Sequence, residues 1–177
     1  STLADLEALF LDRNRIEDLG PLGGLFNLRD LGISLNRITD LSDLENLRKL
    51  ERLFANNNQI ADSRSLASNQ ALTHLQLSNT GIDDIAFVAE LVNLEELDVS
   101  SNKVSDLGPL AGLQNLRRLA LASNEITDLS PLVQNLAIGE ETLIGLAGNP
   151  LSTLAATFQI SVLRQRGVQV VYESPLQ

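Results

Sequence analysis

Cysteine is absent from the 177 residues. That excludes a disulfide framework and a cysteine-ligated zinc site, and it leaves the redox compartment open. Tryptophan and methionine are absent too, and only 3% of the chain is aromatic. Any core must therefore be aliphatic. Position 1 is serine, which predicts a processed or excised part of a longer protein. No apolar run approaches the roughly 20 residues that span a bilayer, and no secretory leader opens the chain, so direct membrane insertion is not expected. Basic residues are sparse, 13 Lys and Arg against 23 Asp and Glu, for a net charge of -10. Such a chain repels phosphates and anionic lipid, so nucleic acid is not an expected partner. There is no Gly-rich phosphate loop and no metal-ligand spacing, hence no expected cofactor or metal.

What the chain has in quantity is aliphatic residues at fixed spacing. Between Leu94 and Asp106, apolar residues stand at 94, 97, 99 and 104 and an asparagine at 102. The same unit recurs along the chain. Asn14, Asn36, Asn58, Asn102 and Asn124 follow in steps of 22 or 44, Thr80 fills the one gap, and Asn149 closes the series after a step of 25. The spacing predicts one domain over 1–177. It comprises six regular repeats at 6–137, a stretched seventh at 138–151 and a C-terminal cap at 152–172. Only Ser1 to Asp5 precede the first repeat, which predicts an N-terminal cap lying outside this sequence.

Within each repeat the alternation of apolar residues has period 2, the signature of a short strand with one face buried. A strand this short cannot bury its leucines alone; stacked copies can, in a parallel sheet. An Asp at 18, 40, 62, 84, 106 and 128 precedes a segment too short for a long helix, with proline at 21, 109 and 131. This reads as a 3-10 or one-turn helix started by the aspartate. A calcium ladder would need several oxygens converging on one point, and one carboxylate per repeat does not supply them. The asparagines read as a structural ladder, Asn14, Asn36, Asn58, Thr80, Asn102, Asn124 and Asn149. Each side-chain amide has two donors and an acceptor for backbone groups of its own and adjacent coils. Thr80 lacks the amide, and Ser63 and Asn69 replace leucines. The back of the stack around 61–72 is therefore expected to be less regular than elsewhere, through drift or through contact with a neighbouring domain. Residues 153–166 read as a helix, with Leu154, Phe158 and Val162 at i, i+4 spacing, Ser152 as cap and Gly167 as stop. Val168 to Tyr172 reads as a strand closing the sheet.

These motifs resemble the leucine-rich repeat proteins of the 22-residue subclass, the kind found in bacterial internalins. The ending Asn149-Pro-Leu-Ser152, a helix, then Arg166-Gly-Val-x-Val170 is particularly similar to bacterial repeat domains of that kind. The resemblance implies an α/β right-handed solenoid. Its parallel sheet forms the concave face, 3-10 or irregular turns form the convex face, and a helix-plus-strand cap closes the C-terminus. It implies binding of proteins or peptides, often outside the cell, so a secreted or cell-surface location, and it implies no catalytic residue. A monomer is expected.

Outward strand positions fall into three columns. The first is Ala8, Asp30, Arg52, His74, Glu96, Arg118; the second is Phe10, Gly32, Phe54, Gln76, Asp98, Ala120; the third is Asp12, Ser34, Asn56, Ser78, Ser100, Ala122. The first mixes signs, and lateral pairs Asp30–Arg52 and Glu96–Arg118 are expected. The candidate binding residues are Phe10, Arg52, Phe54, His74, Gln76, Glu96, Asp98 and Arg118, with the two phenylalanines and the arginines as anchors. His74, Asp98 or Glu96 and the third-column serines superficially resemble a catalytic triad. A flat wall without an oxyanion hole or water-excluding pocket argues against catalysis. A spacer segment of a larger surface protein is the alternative to a binding module.

Overall fold

The computed structural model describes residues 3–172, and its strands share one parallel sheet. Those strands are β1 (Ala8–Phe10), β2 (Asp30–Gly32), β3 (Arg52–Phe54), β4 (His74–Gln76), β5 (Glu96–Asp98), β6 (Arg118–Ala120), β7 (Leu143–Gly145) and β8 (Gln169–Val171). They lie side by side in sequence order. Register runs unbroken through the central residues, Leu9, Leu31, Leu53, Leu75, Leu97, Leu119, Ile144 and Val170. From Leu31 to Ile144 each of these is buried. One continuous aliphatic core therefore fills the space between sheet and back, as stacking requires of units that have no core of their own.

The back consists of short 3-10 turns at Gly20–Leu22, Ser42–Leu44, Arg64–Ser68, Ala86–Glu90 and Gly108–Leu110, and a one-turn helix α1 (Ser130–Gln134). Each is preceded by its aspartate, whose Oδ1 accepts the N–H two residues on: Gly20, Ser42, Arg64, Ala86, Gly108 and Ser130. These carboxylates thus satisfy donors that the turns leave unpaired. Hydrogen bonds from the Arg64 side chain and backbone hold the Asp62 carboxyl at about 2. Asp128 is lowered by the Gln159 amide and then by the Ser130 hydroxyl. Asp30 is lowered chiefly by its bond from the Arg52 side chain. A carboxyl whose folded value lies below its unfolded one contributes stability that is complete above the unfolded range, about 3.9, and lost as pH falls through the folded value. Melting temperature is therefore expected to hold above pH 5 and decline between pH 4 and 2. In Asp128→Asn that decline should be shallower.

Where each strand turns into the loop edge, the residue before the ladder position has positive φ: Arg13, Leu35, Asn57, Asn79, Ser101, Ser123 and Gly148. Asparagine tolerates this left-handed conformation, whereas a leucine there costs about 1–2 kcal/mol. Leu35 is also exposed, so its side chain adds little packing in return. Leu35→Asn is expected to raise stability by about 1 kcal/mol, read as a higher urea midpoint.

Two expectations are corrected. The back at 61–72 keeps a regular turn, the five-residue 3-10 segment Arg64–Ser68, and departs from the other coils instead in two buried atoms, Ser65 Oγ and Asn69 Oδ1, that have no hydrogen bond among the described residues. Asn69 is fully buried, donating from Nδ2 to the carbonyls of Leu44 and Leu47 in the coil below. Asn135, 66 residues later, does the same to Leu110 and Leu113. Both tie one back turn to the next. The second correction concerns the cap helix, a π turn at Ala155–Gln159 running into α2 (Ile160–Gln165). Leu154 and Phe158 point outward, 59% and 61% exposed, while Ala155, Gln159, Ile160 and Leu163 are buried. The packed stripe is set by Gln159. Its Oε1 accepts Leu129 N–H, and its Nε2 donates to Asp128 Oδ1 and Ser130 Oγ, capping the last regular coil. Ser152 Oγ accepts Ala155 N–H, and Gly167, at φ +86°, ends the helix.

Candidate functional site

The side chains at alternate positions of β1 to β6 stand on the open face of the sheet. Phe10 is 62% exposed and Phe54 half-buried. Between them lies Gly32, where a Cβ would come within 2.7 Å of Phe10 Cδ1 and 2.6 Å of Asp12 Oδ2. The missing side chain at 32 leaves room over β2 for the edge of the Phe10 ring and for the Asp12 carboxylate. The two aromatics and the bare glycine form an apolar floor over three strands. Asp12 Oδ1 accepts Ser34 N–H at 2.7 Å along its border.

The first column divides into pairs. Arg52 grips Asp30 in a two-point ion pair, its Nε to Oδ1 and its second guanidinium nitrogen to Oδ2 at 2.7 Å. Glu96 does not meet Arg118, as the columns suggested. Its Oε1 lies 3.9 Å from His74 Nε2 instead, and Arg118 makes no ion pair among the described residues. Strand neighbours on both sides were available to Glu96, and register alone does not choose between them. His74 Nδ1 lies 2.8 Å from Thr73 Oγ1, which also lies 3.1 Å from the Glu51 carbonyl. Asp98 directs Oδ1 to Ser100 N–H, and Gln76 Oε1 accepts from Asn56 Nδ2. Of the would-be triad only the His74–Glu96 approach forms; Asp98 holds the Ser100 backbone N–H, and among the described residues no serine hydroxyl bonds to His74, whose other nitrogen faces Thr73. His74, Gln76, Glu96, Asp98 and Arg118 do converge around a shallow depression of about 160 Å³ floored by Ala120. The face therefore has two halves, an apolar one on β1 to β3 and a charged one on β4 to β6.

A charged rim beside the sheet was not read from the sequence. Arg29 pairs with Glu51, and Arg117 with Glu141 at 3.2 Å and Glu95 at 3.9 Å. The signal was available, because positions 29, 51, 73, 95 and 117 are one 22-residue column.

The ladder lies behind this face, along the loop edge. Asn36 donates from Nδ2 to Leu11 O and Ile33 O and accepts Ile16 N–H. Asn58 does likewise with Ile33 O, Ala55 O and Ile38 N–H. Asn124 serves Val99 O, Leu121 O and Val104 N–H, and Asn149 serves Leu121 O, Leu146 O and Ile126 N–H. Asn102 donates to Leu77 O and Val99 O but accepts from Thr80 and Gly81. Among the described residues Asn14 bonds within its own coil, to Leu11 O and Asp12 O.

Among the described residues no three His, Cys, Asp or Glu side chains group to hold a metal, and no helix is long and apolar enough to cross a membrane.

A family profile described as Leucine Rich repeats (2 copies) matches residues 26–68, 70–112 and 92–134. No curated protein matches the chain. Among solved structures, an internalin (InlF) of Listeria monocytogenes superposes with a TM-score of 0.86 at 29% identity, over 98% of this chain and 49% of its own. Internalin C2 of the same organism superposes with a TM-score of 0.81 at 29% identity, over 97% of this chain and 74% of its own. A leucine-rich repeat protein of Leptospira interrogans shares the fold, with a TM-score of 0.80 at 23% identity, over 97% of this chain and 43% of its own. The chain thus spans about half the length of the first internalin.

Proposed function

Since the chain belongs to the leucine-rich repeat family, we propose that it is a non-catalytic binding module that docks a protein or peptide on the concave face of its sheet. The observation that carries this reading is the aromatic floor. In a chain that is 3% aromatic, Phe10 and Phe54 stand on the open face rather than in the core. An exposed apolar patch rimmed by polar groups is the usual mark of an interaction surface, and aromatic and arginine residues are its usual anchors. Arg52, held by Asp30, borders the floor, while His74, Gln76, Glu96, Asp98 and Arg118 supply polar specificity beside it. The likeness to internalins supports a secreted or cell-surface location for the protein that carries the module, and the module is taken to act as a monomer.

The competing reading is a spacer that holds other parts of a longer protein apart. The Asp30–Arg52 pair favours it, because charges that neutralise each other need no ligand. Replacing Arg52, Phe54 and Glu96 together by alanine separates the two. A binding module loses its partner in pull-down from native extract while its circular dichroism and melting temperature stay near wild type. A spacer captures the same material before and after.

A further inference from the structure

We propose that the solenoid is hinged between its third and fourth coils, at a break in the asparagine ladder at Thr80 and Gly81. Regular junctions carry three ties along the loop edge. Between coils two and three, for example, Ile38 N–H bonds to Asn58 Oδ1, Asn58 Nδ2 to Ile33 O, and Gln59 N–H to Ile38 O. Between coils five and six the same three run from Val104 to Asn124, Asn124 to Val99, and Glu125 to Val104.

Between coils three and four only one of the three survives, in altered form. Thr80 has no amide to offer, so its peptide turns and its own carbonyl accepts Ile60 N–H at 3.0 Å. The hydroxyl donates within its own coil, to Leu77 O. Gly81, at φ +86°, turns its N–H to Asn102 in the next coil instead of to Ile60 O. Ile60 C=O and Ile82 N–H are left without a hydrogen bond among the described residues. A cleft of about 370 Å³ lies there between residues 60–64 and 81–84, next to one of about 440 Å³ around residues 36–37 and 57–59 on the same edge, so the missing bonds rather than the cleft mark the break. Side-chain ties remain between these coils on the strand side of the opening: Asn79 Nδ2 donates to Asn57 Oδ1, Asn56 Nδ2 to Gln76 Oε1, and Ser78 N–H to Asn56 Oδ1.

The opening is confined to one edge. The sheet is continuous across it, with Phe54 opposite Gln76. The back is closed, with Phe87 buried where coils one, five and six carry an exposed or half-exposed proline. Two closed edges and one open edge make a hinge rather than a weak junction throughout. It lies between the apolar half of the concave face and the charged half, so opening at the loop edge changes the angle between Phe54 and the depression around Glu96. That consequence rests on the concave reading above; the hinge itself does not.

Amide hydrogen exchange on the full chain tests it without any partner. Ile60 N–H makes a 3.0 Å bond across the junction, the same length as that of Ile38 and close to the 2.9 Å of Val104. A rigid stack protects all three equally. The hinge predicts that Ile60 exchanges at least about tenfold faster than Ile38 and Val104, as a locally opening segment does. Thr80→Asn, which restores the amide, should slow Ile60 to the rate of Ile38 and leave Val104 unchanged. Equal protection of Ile60 and Ile38 in the wild type, or an Ile60 rate unmoved by Thr80→Asn, overturns the hinge whatever the concave face binds.

Discussion

Asn124→Ala is expected to destabilise the protein by about 3 kcal/mol or more, whereas Asn14→Ala is expected to cost under about 1 kcal/mol. The two residues occupy the same place in the repeat. Asn124 is buried and serves a donor, Val104 N–H, and two carbonyls, Val99 and Leu121, on either side of a coil junction. Alanine leaves Val104 N–H facing the core with nothing to bond, at about 1–3 kcal/mol, and takes one donor from Val99 O and Leu121 O, which keep those of Asn102 and Asn149, at about 0.5–1.5 kcal/mol for each lost bond. Asn14 is exposed, and its bonds stay within its own coil. Water replaces them. Urea midpoints for the pair measure the difference, and equal effects would show that the ladder acts through local turn geometry rather than by joining coils.

Leu97→Ala is expected to cost about 3–4 kcal/mol, and Glu96→Ala, one residue away, within about 0.5 kcal/mol. Leu97 is 1% exposed between Leu75 and Leu119 in the central row of the core. Truncation removes its transfer energy and leaves a cavity that a rigid stack cannot collapse. Glu96 faces outward, and its nearest cation is His74 at 3.9 Å. An exposed pair of that kind contributes at most about 1 kcal/mol. A strand side chain changes face with every residue, so the contrast is a direct reading of register. A larger loss for Glu96→Ala would place the strand one residue out.

The repeat step, the inward row and the aspartates before each turn were legible because each is a recurring pattern and each physical need is local. A strand with one buried face demands period 2, and a short turn with free N–H groups demands an acceptor. The parts that were not legible depend on what an element packs against. The 153–166 segment carries two apolar stripes. Leu154 with Phe158 reads as well as Ala155 with Ile160 and Leu163. The choice falls to a glutamine, because the top of the last regular coil presents Leu129 N–H and an aspartate that only an amide can serve together. Asn69 reads as a lapse from leucine until Asn135 is set beside it; both donate to carbonyls of the preceding back turn. Thr80 was legible as a missing amide, but its effect on the backbone was not. Satisfying Ile60 N–H with a turned peptide shifts the irregularity from the back of the coil to its loop edge. On the open face, Gly32 reads as an absence in a column. Its meaning comes from the Phe10 ring that takes the space.

These outcomes assign core, ladder and turn to stability, and leave the outward positions of β1 to β6 free for recognition. Site-specific photo-cross-linking tests that assignment most directly. A photoreactive residue is placed at 54, 76 or 98 on the concave face, or at 67 or 111 on the convex back, and the protein is irradiated in native extract. A concave binding module yields the same protein or peptide adduct from 54, 76 and 98 and none from 67 or 111. Adducts from the back alone, with the concave positions silent, would contradict it.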